Sequence, residues 1–568
     1  VAYNKIGRKQ GSLTPGVDND TADGMSLERI ANLIELLRNE RFNFRPARRI
    51  YIPKKSGGKR ALGLPNFSDK LVQEVLRMML EAYYEPQFKD SSHGYRPNRG
   101  CHTALRRLKE SFQGSAWLIE GDIKGCFNSI DHEILMAILA QKIKDGRLLE
   151  LIRRSLKAGV MDGWQYHKTY SGTPQGSVLS PLLANIYLHE LDTFIEDVLI
   201  PQYTSGKGRA HNRTYRRYEY QIKRARERGD HQMAEKLRQE RRQYPSRNMY
   251  DANFRRLRYL RYADDFILGF IGSKSEAKQI KESIGAFLQD WLKLEMSASK
   301  TLITHARTEK AHFLSYDISI YQNNDALSRT TGDDRKNMRS INGHVRLGVP
   351  YGLTTELAKR YQRNGKVISE AALLAFSDAH IIDVYQKRFR GLAEYYKYAV
   401  DRCHLGKIKT VMEIALVKTL AHKYRITVSQ VYRKYRGRQI VEGYEYKTLE
   451  VKVPTERGER LFYWGAIPLR VVKLFGQPIN DVRYESFRMG ARSDLIERLQ
   501  ANKCELCGSK EDCEVHHVRK LADLKKPGRK EKPDWMKRMI AMQRKTLIVC
   551  RKCHIDIHAG RPTKNTRS

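Results

Sequence analysis

The sequence predicts a multidomain α+β chain, and three observations predict it. Two short strand-like patches, Trp117-Leu118-Ile119-Glu120-Gly121-Asp122-Ile123 and Leu260-Arg261-Tyr262-Ala263-Asp264-Asp265-Phe266-Ile267-Leu268, place acids at a strand edge or turn among residues that want burial. From about 335 to 450, apolar residues return at helical spacing, as in Ile381, Tyr385, Phe389, Leu392 and Tyr396. Near the C-terminus, Cys504-x-x-Cys507 and Cys550-x-x-Cys553 have the spacing of a metal site. The 568 residues leave room for three or four domains, and a hydrophobic content of 40% supplies sizeable cores.

The elements follow in order. Ser12, Pro15, Gly16, Asp18 and Gly24 punctuate a turn-rich start. Ser26 reads as a helix N-cap, with Ile30, Leu33, Ile34 and Leu37 at core spacing behind it. A strand from Arg49 to Pro53 meets a tight turn at Gly57-Gly58, and an amphipathic helix runs from about Leu71 to Tyr84. Between the two acidic patches, residues 206 to 261 carry Lys or Arg at nearly every third position. Two helical stretches there, Arg213 to Arg228 and His231 to Gln243, are split by Gly229-Asp230, which predicts a projecting basic hairpin. Tyr215, Tyr218, Tyr220 and Tyr244 interleave with its arginines and favour RNA contact over a merely solvated insertion. Residues 451–500 are mixed and linker-like, the cysteine-rich module fills 501–568, and there are no internal repeats.

Charge narrows the function. Lys plus Arg number 105 against 64 Asp plus Glu, a net charge of +41 spread along the chain. Such a field favours long contact with a polyanion, and nucleic acid is the expected partner. Of eight cysteines, four sit in the paired motifs, which suits metal binding in a reducing compartment better than a disulfide framework. No apolar run approaches a membrane span, and no signal-peptide pattern follows Val1. The expectation is a soluble intracellular protein, with a few native residues preceding Val1.

Adjacent Asp264 and Asp265 would repel in apolar surroundings without a cation. At a hairpin turn both can reach hard divalent ions, which phosphoryl transfer from a nucleoside triphosphate requires. Tyr262-Ala263-Asp264-Asp265 resembles the Tyr-x-Asp-Asp box of reverse transcriptases. Asp122-Ile123-Lys124-Gly125-Cys126-Phe127 resembles their first catalytic motif. The resemblance makes Asp122 the third ligand of two Mg²⁺ ions and Phe127 the residue that excludes a ribose 2′-hydroxyl. Gly172-Thr173-Pro174-Gln175-Gly176-Ser177 resembles the block under the incoming nucleotide and template, which includes Gln175 and Gly176. Lys54, Arg60 and Lys300 match residues that bind the triphosphate, and Phe313-Leu314-Ser315-Tyr316 matches the primer grip. Each piece alone has an ordinary reading as core or solvated loop; their joint order carries the resemblance.

The stretch Asn4 to Gly24 and the block Ser91-Ser92-His93-Gly94-Tyr95-Arg96-Pro97 resemble extensions found in group II intron proteins. Gly391 to Tyr396 and Leu416 to Tyr424 resemble their helical thumb, domain X, which grips intron RNA as a maturase. The resemblance implies a right-hand polymerase: N-terminal extension and fingers at 1–115, palm at 116–325 with a basic insertion at about 206–256, and thumb at 326–450. A DNA-binding linker at 451–500 and a nuclease at 501–568 would follow.

Cys504, Cys507, Cys550 and Cys553 can close a tetrahedral Zn²⁺ site. Between and after them lie Glu514-Val515-His516-His517, His554 and His558, and the whole resembles the HNH (ββα-metal) nuclease module. By that resemblance His517 is the general base, and His516, His554 and His558 surround one catalytic divalent ion. A purely structural zinc knuckle would leave these histidines without a role. One departure stands out: Lys545-Thr546 occupies the place of the central Asn that braces the loop carrying the base, so another group must do so. Cys513 has no assigned role.

The expected function is that of a group II intron protein: RNA-directed DNA polymerase, maturase and DNA endonuclease. Its partners would be intron RNA, target DNA and deoxynucleoside triphosphates, with no membrane. Its place would be the cytoplasm of a bacterium or an organelle. The rivals are an RNA-binding splicing factor with vestigial sites and a stand-alone reverse transcriptase. Intact Asp122, Asp264, Asp265, His516 and His517 oppose the first, and domain X with the nuclease module opposes the second.

Overall fold

The structure, a computed structural model, describes residues 1–563 apart from 8, 10, 54–56, 174–175, 249–250, 324–327, 330–336, 339–341, 456–457, 472–493, 525–531 and 543. Lys54, Gln175 and much of the expected linker therefore lie outside the described residues.

A five-stranded sheet forms the centre, in the order Ile303–His305, Trp117–Asp122, Asp265–Ile271, Arg256–Tyr262, Ser92–His93. Neighbours are antiparallel except Ser92–His93, which runs parallel to Arg256–Tyr262. The central strand Asp265–Ile271 reads as a nearly continuous apolar run because both of its faces are covered. Alternate side chains separate into two cores. Leu257, Tyr259, Phe266, Leu268 and Phe270 join the core built with helices Ser180–Thr193 and Lys274–Trp291. Leu118, Leu260 and Ile267 face the core shared with Cys101–Ser111 and the thumb.

The fingers hairpin pairs Ala47–Pro53 with Lys59–Leu64, extended by Val160–Asp162 and Gln165–His167. Ser26 caps helix Leu27–Arg38 as expected, accepting from the Arg29 N–H at 3.1 Å. The apolar stripe of that helix is less buried than its spacing implies. Ile30, Leu33 and Leu37 pack partly against neighbouring cores, whereas Ile34 is 49% exposed. The helix lies across the outside of two cores and enters neither.

The basic insertion is a helical hairpin, Arg213–Glu227 and His231–Arg241, closed by Ile222, Ala225 and Ala234. Its tyrosines serve the hairpin first. The Arg241 guanidinium lies 4.9 Å over Tyr215, Arg224 lies 5.2 Å over Tyr220, and Tyr218 stacks on Tyr244.

Beyond the palm, the expected helical run from 335 to 450 is interrupted at both ends. Strand Val345–Gly348 joins Ala311–Phe313 and Tyr316–Ile320 in a sheet that crosses the expected palm–thumb boundary. Helices Asp378–Tyr395, Leu405–Tyr424 and Val428–Tyr435 form the thumb. Then Arg436–Val441, Tyr444–Thr455 and Gly458–Gly465 form an antiparallel sheet, where helix and linker were expected. Arg436–Val441 alternates exposed and half-buried residues, a strand period. Buried Trp464 and the reciprocal Gln386–Gly465 hydrogen bonds, 2.9 and 3.0 Å, fasten this sheet to the thumb.

A third core unites the two ends of the chain. Tyr3, Ile6, Ala22, Met25, Phe67 and Leu71 pack with Leu495, Leu499, Val515 and Ile548. Strand Met25–Ser26 pairs antiparallel with Cys513–His517, which pairs with Thr546–Cys550.

Beneath the acidic hairpin lies a buried ion pair. Arg261 and Asp192 are both 0% exposed, and their bidentate bonds measure 2.8 and 2.6 Å. Arg261 also donates to Asn185 Oδ1 at 3.1 Å, the Ala263 carbonyl at 2.8 Å and Ser92 Oγ at 2.7 Å, so all of its N–H donors are used. Arg261→Met leaves the Asp192 carboxylate buried and uncompensated. It should lower the unfolding free energy of the palm by about 3–5 kcal/mol, read from the urea midpoint; a change below about 1 kcal/mol would deny the pair its organising role.

Candidate functional site

The paired acids stand at one end of the central sheet. Asp122 is directly opposite Asp265 across paired strands, and Asp264 occupies the turn after Ala263, whose φ is 55°. Gly94 lets this turn seat. A Cβ there would lie 2.8 Å from the Ala263 nitrogen, and Gly94 itself has φ 84°. Asn185, which accepts from Arg261, donates to the Gly94 carbonyl at 3.0 Å.

The electrostatics are those of a crowded anion cluster. Burial, the Asp264 charge, and the hydrogen bond and charge of Asp122 push the Asp265 carboxyl up to about 7. Burial and then Asp122 also raise Asp264, which the charges of Lys300 and Arg60 oppose. Lys300 Nζ sits 3.0 Å from Asp122 Oδ2, so the expected lysine is at the site. Phe127 lines a narrow cleft with Tyr95, Ala263 and Asp264, and its ring lies 6.0 Å from Tyr95. The donors are all carboxylate oxygens, the hard ligands that suit Mg²⁺.

The described residues of the 172–178 segment are fastened on both sides. The Thr173 N–H donates to the Phe127 carbonyl at 2.6 Å and Gly172 to the Ile130 carbonyl at 2.7 Å. Gly176, at φ 114°, packs on the fingers strand, where a Cβ would come within 2.4 Å of the Gly63 carbonyl oxygen. Gln73 accepts from Ser177 Oγ at 3.0 Å and the Val178 N–H at 3.2 Å. The turn at Leu314-Ser315 is clasped by helix Asp378–Tyr395 and the residue after it: Tyr395 donates to the Leu314 carbonyl at 2.7 Å and Tyr396 to the Ser315 carbonyl at 3.1 Å.

In the C-terminal module, two sets of ligand atoms each converge within 4.8 Å: Cys504, Cys507, Cys550, Cys553 and Asp23, His516, His554, His558. The palm acids do not form so tight a set among the described residues. The sulfurs of Cys507 and Cys550 are 3.6 Å apart, close to the separation of about 3.8 Å that tetrahedral Zn–S bonds of about 2.3 Å impose. Cys513 stays outside this set.

The histidine site has its own supports. Glu514 Oε1 lies 2.7 Å from His554 Nδ1, which turns Nε2 toward the cluster. Burial opposes charge on His554, but its hydrogen bonds to Asp23 and Glu514 push it up to about 9. His516, 4% exposed, has no hydrogen-bond partner for either ring nitrogen among the described residues, and burial pushes it down to about 3. Buried imidazole of that kind suits a metal ligand. His517 lies beside this cluster with its ring 6.4 Å from Tyr3. The loop after it is braced without a central Asn: the Val518 N–H donates to the Lys545 carbonyl at 2.9 Å, and the His517 N–H to Asp23 Oδ1 at 2.6 Å.

Sequence reasoning missed Arg261, Asp192, Glu514 and Asp23 as contributors. Glu514, adjacent to the histidine pair, carried a local signal; Arg261 and Asp192 gain their meaning from pairing across 69 residues.

A palm with paired acids, a helical thumb fastened to it and a ββα module with two ligand sets define a reverse transcriptase joined to a metal-dependent nuclease. Comparison with known proteins agrees. Residues 52–215 match the reverse transcriptase (RNA-dependent DNA polymerase) family, 351–458 the type II intron maturase family and 504–554 the AI2M/AI1M-like HNH endonuclease family. The group II intron-encoded protein LtrA of Lactococcus lactis subsp. cremoris is 37% identical, over 98% of this chain and 92% of that protein. An uncharacterized 91 kDa protein in a cob intron of Schizosaccharomyces pombe is 36% identical, over 100% of this chain and 69% of its own. The COX1/OXI3 intron 1 protein of Saccharomyces cerevisiae is 33% identical, over 99% and 68%. The chain belongs to the group II intron-encoded proteins, with reverse transcriptase, maturase and HNH endonuclease domains.

The two ligand sets can be separated experimentally. Cys504→Ser should release one equivalent of zinc, measured with a colorimetric chelator, and abolish the melting transition of the C-terminal module. Retained zinc would remove Cys504 from the site.

Proposed function

We propose that this protein copies its own intron RNA into DNA, starting from a 3′ end that its nuclease exposes in the target. The observation that carries the reading is the gathering of Asp122, Asp264 and Asp265 at one strand edge, with a nuclease-like ligand set on the same chain. Asp122, Asp264 and Asp265 would hold two Mg²⁺ ions, which when bound activate the primer 3′-hydroxyl and neutralise the leaving phosphates. Arg60 and Lys300, with Lys54 and Gln175 outside the described residues, would bind and align the triphosphate. Phe127 would occupy the space a ribose 2′-hydroxyl needs, selecting deoxynucleotides; Gly176 would hold the template-side loop against the fingers.

In the second centre His517 would take a proton from the attacking water, while His516, His554 and His558 hold the divalent ion. Cys504, Cys507, Cys550 and Cys553 would hold zinc and fix the hairpin that carries His517. The thumb, within the region matching the maturase family, would grip intron RNA with the basic hairpin. In this division the chain runs from extension and fingers (1–115) through palm (116–325) and thumb, with the sheet at 436–465 fastened to it, to a shorter linker and the nuclease (501–568). Intron RNA, target DNA and deoxynucleoside triphosphates are the partners. Among the described residues no helix is long and apolar enough to cross a membrane. Bacterial and yeast intron relatives favour a bacterial cytoplasm or an organelle.

Primer extension on an RNA template with deoxynucleotides and Mg²⁺ should give full-length product with the wild type and none with Asp264→Ala, while Asp264→Ala still supports intron splicing. Product from the variant would remove Asp264 from the chemistry. Failure of both proteins to extend would favour the splicing-factor reading. Phe127→Val should raise ribonucleotide incorporation by about tenfold or more; unchanged selectivity would return Phe127 to the core. His517→Ala should slow nicking of target DNA about 10²–10⁴-fold and leave extension intact; undiminished nicking would assign the base elsewhere.

A further inference from the structure

The nuclease ligand set contains a residue from the opposite end of the chain. Asp23 lies in the turn before strand Met25–Ser26, which pairs with Cys513–His517. The Gly24 N–H donates to the Val515 carbonyl at 3.0 Å, so the backbone beside Asp23 is fixed to the nuclease strand as well as its side chain. One carboxylate oxygen, Oδ1, accepts from the His517 N–H at 2.6 Å across 494 residues of sequence. The other, Oδ2, lies 2.8 Å from His558 Nε2 and 3.3 Å from His554 Nε2. His516 Nδ1 is 3.6 Å from Oδ1 and has no hydrogen-bond partner among the described residues, although the residue is buried. A carboxylate is thus aimed at the point where three imidazoles already converge.

We propose that Asp23 is a fourth protein ligand of the nuclease's divalent ion, so that the centre is assembled from both ends of the chain. This rests on the nuclease reading above and adds to it. A hard carboxylate beside three imidazoles suits Mn²⁺, Co²⁺ or Zn²⁺ and offsets the ion's charge as neutral imidazoles cannot. In a six-coordinate ion, four protein ligands leave two positions for water and a phosphate oxygen. Through its bond to the His517 N–H, Asp23 also acts on the base, since one carboxylate sets both the backbone of the base and the position of the ion. Docking of the N-terminal strand, with Tyr3, Ala22 and Met25 in the shared core, is then a condition for a complete site.

The test is a Co²⁺ titration of the full-length protein with its four-cysteine site first filled by zinc, which binds thiolates more tightly. Imidazole donors move the visible bands of Co²⁺ to shorter wavelength than oxygen donors do, so absorption separates the histidine site from an all-oxygen palm site. Asp23→Asn, an isosteric change, should weaken Co²⁺ binding by about tenfold or more, as should His516→Ala. Hydrogen exchange supplies a readout that needs no variant: in the wild type, Co²⁺ should slow exchange of the amides of residues 22–26. Wild-type affinity in Asp23→Asn, with His516→Ala weakened, overturns the proposal and leaves the nuclease reading standing. Wild-type affinity in both variants overturns the two together. Exchange in 22–26 that ignores Co²⁺ also overturns the proposal.

Discussion

The Arg261–Asp192 pair is the constraint on which the polymerase centre depends. A guanidinium with no exposure has to place every donor, and here each placement ties down a different piece of the palm. Asp192 and Asn185 come from the helix under the sheet, Ser92 from the edge strand and the Ala263 carbonyl from the acidic turn itself. The turn bearing Asp264 is therefore located by a buried cation a few residues before it in the same hairpin. That matters because three neighbouring acids push apart unless something rigid holds them. The ion pair supplies rigidity from below, while Asp122, Asp264 and Asp265 each stay half-buried.

The same logic explains why the surrounding loops lack freedom. The nucleotide block is hydrogen-bonded to the segment from Phe127 to Ile130 and packed on the fingers at Gly176. The primer-grip turn is held by two thumb hydroxyls. In the reading proposed above, template, triphosphate and primer would meet surfaces positioned by different domains but referred to one sheet, which favours precise alignment in a reaction where alignment and charge dominate the catalysis.

Much of this was legible in the sequence, because the chemistry imposes local signatures. Adjacent Asp264 and Asp265, paired Cys-x-x-Cys motifs and histidines four apart on Arg551–His558 all announce their role over a few residues. What escaped was non-local. Nothing near Asp192 reveals that it faces Arg261, and nothing near Asp23 reveals that it faces His558. The sheet at 436–465 was hidden differently: its strands are rich in charge, and the helical run just before it invited continuation. Ile34 shows the opposite error, an apolar residue at core spacing that faces away from the cores its helix lies across. The tyrosines of the basic hairpin, which looked like a nucleic-acid surface, are in part engaged with its own arginines.

The pairing of Met25–Ser26 with Cys513–His517 also bears on how the protein is made. During synthesis the first of these strands leaves the ribosome long before the second exists, and closing so long a loop in an unfolded chain is entropically costly. Folding of the intervening palm and thumb shortens that distance, and the pair can close only once residues 513–517 have been made, after the palm and thumb. A prematurely terminated product would carry a folded palm but an unpaired N-terminal strand. DNA cutting would thus be armed by completion of translation, and a truncated chain would be left without a blade.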